Sequence, residues 1–156
     1  MKPAKGVAED SLRVDGSRNV PYFRVEGGGN GGATSQNRIT ANSDGTISFN
    51  SSCTGPLCVS VGNADHAVYF LTNRRSNGSV VVFEVDANLH KEIMSKAIPQ
   101  RGIPGMPRDP TAPKIVDPNQ PGTALELPAM WESLLKQHSR NARVYSQKEF
   151  LKEFGW

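Results

Sequence analysis

NVPYFRVEGGGNGGATSQNR, residues 19–38, decides how the rest of the chain is read. A short apolar run carries Arg24 straight into a loop holding Gly27, Gly28, Gly29, Gly31 and Gly32. Alternation puts Val20, Tyr22 and Arg24 on one side and Phe23 and Val25 on the other, the period of a strand. A guanidinium at the end of such a strand has two explanations. It is a cation set against an anionic ligand, with glycines letting the backbone approach. Or it belongs to a surface hairpin and pairs with a carboxylate.

Outward from this stretch the pattern is one of short strands. SDGTISFN is a turn at Asp44-Gly45 followed by a strand. LCVSV and AVYFL read as two further strands separated by GNADH. Val80 to Val85 is nearly continuous β-branched and aromatic residue, as in a sheet interior, and Asn77-Gly78 before it signals a tight turn. Within that run Glu84 reads as a structural carboxylate paired with an arginine. Asp86 then caps a helix reaching about Ala97, with Leu89, Ile93, Met94 and Ala97 as its apolar stripe.

Residues 98–122 hold most of the eleven prolines. They predict a long ordered loop around a short extended piece at KIV. TALEL predicts a strand, Pro128 opens a helix bearing Trp131, Leu134 and Leu135, and ARVY is a last strand. SQKEFLKEF closes with a capping box, Ser146 and Glu149, and a buried side of Phe150, Leu151 and Phe154. Residues 1–18 read as a flexible, polar N-terminal arm without the apolar core of a secretory signal. Residues 19–156 form one domain, and the expected class is α+β: short strands with two or three helices packed on them.

Composition narrows the function. The 156 residues carry a formal charge of +3, a mild lean toward anionic partners. No apolar run approaches membrane-spanning length, so no membrane partner is expected. Cys53 and Cys58 in CTGPLC lack the second Cys or His pair that a zinc ribbon needs, and no metal is expected. The glycines of GGGNGG precede polar sequence without helical period, which excludes a dinucleotide turn of the βαβ type, and no Gly-Lys-Ser/Thr follows for a nucleotide P-loop. No serine stands in G-x-S-x-G.

A different set remains: Arg24 in YFRVEGG, Tyr69 in HAVYFLTNR and Glu126 in GTALELP. HAVYFLTNR…GSVVVFEVD resembles the core of the ADP-ribosyltransferase superfamily, and YFRVEGG is similar to the first strand of many bacterial members. The chain from TSQNRI to EFLKEFGW also resembles the C-terminal toxin domains of Rhs-type polymorphic toxins. These resemblances imply a split β-sheet core and NAD as the substrate. They imply Glu126 as the catalytic carboxylate, and Arg24, Gly27, Gly28 and Tyr69 around the dinucleotide. They further imply a parent Rhs protein, a cognate immunity protein, and delivery by type VI secretion into the cytoplasm of a rival bacterium.

The chemistry supports the residue types. Loss of nicotinamide from NAD generates an oxocarbenium-like ribose, and a carboxylate facing that cation stabilises it more than the ground state. Glu126 would do this, Tyr69 would stack on nicotinamide, and Arg24 would hold pyrophosphate or wall the nicotinamide pocket. ISFNSS, with Ser48, Ser51 and Ser52, is only a loose match to the Ser-Thr-Ser element of one branch. Position 124 is alanine where arginine-modifying members carry a Gln or Glu. That departure favours another acceptor, and with Arg74 and Arg75 on a basic chain RNA is the candidate. NAD hydrolysis, a metal-independent ribonuclease using His66 or His138, and a non-enzymatic interaction module are the alternatives.

Overall fold

In the computed structural model, residues 19–27, 38–50, 57–73, 78–99 and 109–155 are described. The expected N-terminal arm, Gly28, Ser51, Ser52, Cys53, Arg74, Arg75 and Asn77 lie outside the described residues. In chain order the strands are β1 (Val20–Glu26), β2 (Ile39–Ala41), β3 (Ile47–Phe49), β4 (Leu57–Val61), β5 (Ser79–Val85), β6 (Ile98–Pro99), β7 (Lys114–Val116), β8 (Thr123–Leu127) and β9 (Ser139–Ser146). The helices are α1 (Asp65–Asn73), α2 (Ala87–Lys96), α3 (Glu132–Gln137) and α4 (Gln147–Phe154), with one 3-10 turn at Ala129–Trp131. The class is α+β.

Among the described residues, seven strands form one sheet in the order β6-β7-β8-β4-β1-β5-β9, and β2 and β3 form a separate pair. All neighbours in the large sheet are antiparallel except β6 and β7. Period-two alternation divides the side chains between two cores. On one face Tyr22, Val59, Val61, Val81, Phe83, Leu125 and Leu127 pack against Leu89 and Ile93 of α2, Trp131, Leu135 of α3, and the small sheet through Ile39 and Ile47. On the other, Phe23, Val25, Val80 and Val82 meet Ala67, Val68 and Leu71 of α1 and Phe150 and Phe154 of α4.

Several local expectations hold for stated physical reasons. Gly45 adopts φ +88°, a left-handed geometry suited to glycine, and the Asp44 carboxylate accepts from the backbone and hydroxyl of Thr46 beside it. Asp86 caps α2 by accepting from the Asn88 amide at 2.8 Å. Ser146 and Glu149 form both bonds of the capping box on α4. KIV is β7, and Glu84 is fully buried with the Arg143 guanidinium 3.9 Å away.

The stretch AVYFL is not a strand. Residues 65–73 form α1, whose buried set is His66, Ala67, Val68 and Leu71. Ala67 and Leu71 are four apart, a helical spacing hidden inside a short apolar run that looks alike in either conformation. Asn63 steers the entry, its side-chain oxygen accepting from the Asp65 amide at 3.0 Å. Tyr69 is therefore helical, and the expected strand tyrosine is corrected.

Beneath α2 the Tyr22 hydroxyl lies 2.9 Å from His90 Nδ1. Tyr22 is wholly buried, which pushes its phenol well above the usual tyrosine value, so it stays neutral. Burial also holds the His90 imidazole below its ordinary value near 6.5. The unfolded chain therefore takes up this proton more readily than the folded one. Stability from this site is complete above about pH 6.5 and is lost as pH falls through the lower folded value. Melting temperature measured from pH 7.5 to 5.5 is expected to fall, and His90→Phe, although less stable at pH 7.5, is expected to flatten that fall. Parallel curves for the two proteins would contradict the assignment.

Candidate active site in the opening between β1 and β4

β1 and β4 pair only at Tyr22↔Val61 and Phe23↔Ser60. Beyond that point β1 follows β5 to Glu26, while β4 runs with β8 to Leu57. The two central strands part, and Arg24 occupies the opening. Its Nη1 donates to the Cys58 carbonyl at 3.0 Å, a group that a strand neighbour's amide would otherwise satisfy. Its Nε lies 3.4 Å from Glu26 Oε2. The arginine and the glutamate are both buried, at 9% and 4% exposure.

Glu26 carries more than this ion pair. The same oxygen accepts from the backbone amides of Arg38 and Ile39 at 2.7 and 2.8 Å, where β2 begins. Arg38 in turn pairs with Glu132 at the start of α3. The opening question thus has a structural answer: Arg24 has a carboxylate two residues away. Gly27, directly after Glu26, sits at φ +69°, which explains the glycine without a ligand.

Above the opening is a cleft of about 310 Å³, lined from β1 by Phe23, Arg24 and Val25 and from β4 by Cys58, Val59 and Ser60. His66 and Phe70 of α1 form one wall, and Val116, Asp117 and Ala124 complete the other. On this face α1 packs on β1 and β8 and α4 on β5 and β9, with the cleft beside α1.

The expected site residues are brought together in part. Glu126 is in register with Cys58, the residue whose carbonyl Arg24 holds. Leu125 and Leu127 point into the core of the opposite face, so alternation puts Glu126 on the same face as Ala124; Ala124 lines the cleft and Glu126 is not among its lining residues. Its charge is felt at Cys58, whose free thiol is pushed up by desolvation first and by the Glu126 carboxylate second. Lys114, the other register partner of Glu126, directs its ammonium to the carbonyls of Asp109 and Ala112. Tyr69 sits beside His66, with ring centroids 5.9 Å apart, and is not among the residues lining the cleft. Ser48 lies on β3 in the small sheet and accepts from the Asn42 side chain.

What sequence reading missed is the polar wall. Ser60 Oγ lies 2.9 Å from His66 Nδ1, and His66 Nε2 lies 3.0 Å from Asp117 Oδ2. Ser60 and His66 are buried, and the Asp117 side chain is 44% exposed. Phe70 stacks on the imidazole at 6.0 Å with an interplanar angle of 20°. Alternation in LCVSV puts Ser60 on the face opposite Val59 and Val61, a signal that could have singled it out. Asp117 gave no such signal, since it arrives from β7 at φ +49°. Of the three histidines only His66 lines the cleft: His90 faces Tyr22, and His138 ends α3. No family model matches the chain, and neither a curated protein nor a solved structure matches it.

Two substitutions probe the scaffold of this site. Glu26→Ala leaves the Arg24 guanidinium and the two loop-return amides without their shared acceptor. A loss of about 3 kcal/mol is expected in urea unfolding, whereas a loss below about 1 kcal/mol would show that the return is pinned elsewhere. Gly122 lies at φ +74°, and a Cβ there would stand 2.7 Å from the His66 backbone nitrogen. Gly122→Ala is expected to destabilise by about 2 kcal/mol or more and to shift the His66 ring resonances in NMR. An unshifted His66 spectrum would separate this turn from the imidazole.

Proposed function

We propose that the cleft is an NAD site and that the domain transfers ADP-ribose from NAD to a macromolecular acceptor. The observation that carries this reading is the parted pair of central strands. Arg24 lies in the opening, and Glu126 lies one strand beyond β4 on the cleft side. A split sheet with an arginine on its first strand and a glutamate on a late strand is what the ADP-ribosyltransferase resemblance implies. In this reading Arg24 walls the nicotinamide end of the pocket, its planar fork held by Glu26 and Cys58. Gly27, at the end of β1, and Gly28, outside the described residues, are the glycines assigned to the dinucleotide. Tyr69, carried on α1, borders the site through His66 instead of stacking from a strand. The cleft volume falls at the lower end of the roughly 300–1,000 Å³ range of ligand pockets, suited to the nicotinamide–ribose half of NAD.

Chemistry would begin with departure of nicotinamide. Glu126 faces the developing ribose cation and accepts from a ribose hydroxyl, contacts that strengthen as charge develops. RNA is the proposed acceptor, in keeping with the net charge of +3 and with the alanine at position 124. The biological setting that fits is a toxin domain carried by a parent Rhs protein, delivered by type VI secretion into a rival bacterium's cytoplasm and neutralised by an immunity protein. Among the described residues no helix is long and apolar enough to cross a membrane.

Incubation with radiolabelled NAD and bacterial lysate tests the reading. Label is expected to move to material destroyed by ribonuclease and spared by protease. Glu126→Gln is expected to lower the rate roughly 100- to 1,000-fold with little change in melting temperature. Free ADP-ribose alone would favour the NAD glycohydrolase alternative. RNA cleavage without NAD would favour the ribonuclease.

A further inference from the structure

Ser60 from β4, His66 from the first turn of α1 and Asp117 from the turn after β7 meet in the cleft as a hydrogen-bonded series. Their bonding order sets the tautomer. An ionised Asp117 only accepts, so the neutral imidazole carries its proton on Nε2 and leaves Nδ1 as an acceptor. The Ser60 hydroxyl therefore donates to Nδ1. This is the relation of nucleophile, base and orienting carboxylate, with the two imidazole nitrogens exchanged relative to the serine-protease arrangement.

The turn that brings Asp117 to His66 is held in an unusual form. Asp117 at φ +49° and Gly122 at φ +74° both adopt left-handed geometry, and Gly122 packs its bare Cα against the His66 backbone. A left-handed non-glycine residue at the mouth of a cleft is the kind of strain that functional sites retain. Ser60 also stands in a specific relation to Glu126. Ser60 is in register with Ala124, which makes Glu126 its diagonal neighbour on the same sheet face. Such neighbours are roughly 7–8 Å apart. That spacing leaves room for a ribose between the carboxylate and the hydroxyl.

We propose that Ser60 captures the ribosyl carbon of NAD and carries ADP-ribose as a covalent intermediate; this rests on NAD being the substrate of the cleft. In the first step the bond from C1′ to the nicotinamide nitrogen breaks, and nicotinamide leaves with the electron pair as a neutral base. Ser60 Oγ bonds to C1′, and its proton passes to His66 Nδ1, giving an imidazolium that Asp117 stabilises. In the second step an acceptor hydroxyl attacks C1′. The bond from C1′ to Ser60 Oγ breaks, the alkoxide recovers its proton from His66, and the acceptor's proton goes to solvent. Each turnover releases one nicotinamide and one proton. Two displacements at C1′ return the β configuration of NAD in the product.

Stereochemistry and trapping test this on the intact chain. With NAD and methanol as acceptor, proton NMR is expected to show the β-methyl riboside. Rapid acid quenching followed by peptide mass spectrometry is expected to find ADP-ribose on Ser60. Ser60→Ala removes the adduct and lowers the rate about 100-fold or more, and His66→Gln slows adduct formation by a similar factor. Ser60→Cys keeps the position nucleophilic and accumulates a thioglycoside, which separates a chemical role from a folding role. Consumption of NAD with an α-methyl product, or with no modification at position 60 in either the native chain or the cysteine variant, overturns the proposal and leaves the NAD reading standing. NAD left intact by the native chain overturns both.

Discussion

The Glu26 carboxylate is the interaction on which the rest of this structure depends. One of its oxygens receives two backbone amides from residues 38 and 39 and the Nε of Arg24, all in a buried setting. A buried anion is tolerable only when paired and hydrogen-bonded, and here one cation and two amides do both. The consequences run in two directions. Residues 38 and 39 are fixed where the small sheet starts, so Ile39 can enter the larger core. Arg24, held by its partner, extends to the Cys58 carbonyl and replaces the ladder bond that closed pairing of β1 and β4 would have made. The sheet is open at its centre because a guanidinium satisfies what backbone otherwise would.

That opening matters because the two faces of the sheet are covered differently. The face bearing Tyr22, Phe83 and Leu125 is sealed by α2, α3, Trp131 and the β2–β3 pair. Among the described residues the other face carries α1, on β1 and β8, and α4, on β5 and β9. On β4 and β8 this face carries Cys58, Ser60, Ala124 and Glu126, of which Ser60 and Ala124 are buried, Glu126 is half-buried and Cys58 is exposed. Sealing one face supplies the apolar burial that holds the domain together. The partial cover of the other is what leaves room for a site.

Much of this was legible in the sequence wherever a local rule governs the outcome. The strand period of VPYFRV, the buried run Val80–Val85, the Asp86 cap and the Ser146–Glu149 box each rest on neighbours within a few residues, and each formed. The Arg24–Glu26 pair is equally local, since residues two apart on a strand share a face, yet the sequence reading named no particular carboxylate for Arg24. What could not be read were effects that act at a distance. AVYFL becomes helical because Ala67, Val68 and Leu71 find Phe23 and Val25 beneath them, a tertiary choice between two conformations of nearly equal local merit. The meeting of His66 with Asp117 spans 51 positions in the chain and depends on a left-handed turn that no composition rule announces.

Two strand glutamates show how environment assigns roles to one residue type. Glu84 and Glu126 both interrupt apolar strands, and pattern alone does not separate them. Glu84 is fully buried, with the side-chain amides of Asn19 and Asn141 on one oxygen and Arg143 3.9 Å from the other. Both amides go to one oxygen and the other is buried without a hydrogen bond, so this carboxylate fixes the join between β1, β5 and β9 where no ligand can approach it. Glu126 is half-buried, stands on the open face, and presses electrostatically on the Cys58 thiol beside the cleft. A carboxylate that is to meet a developing cation needs partial desolvation to strengthen the interaction and a free approach for the substrate. Of the two, only Glu126 is part-exposed, and it stands on the face of the sheet that carries the cleft.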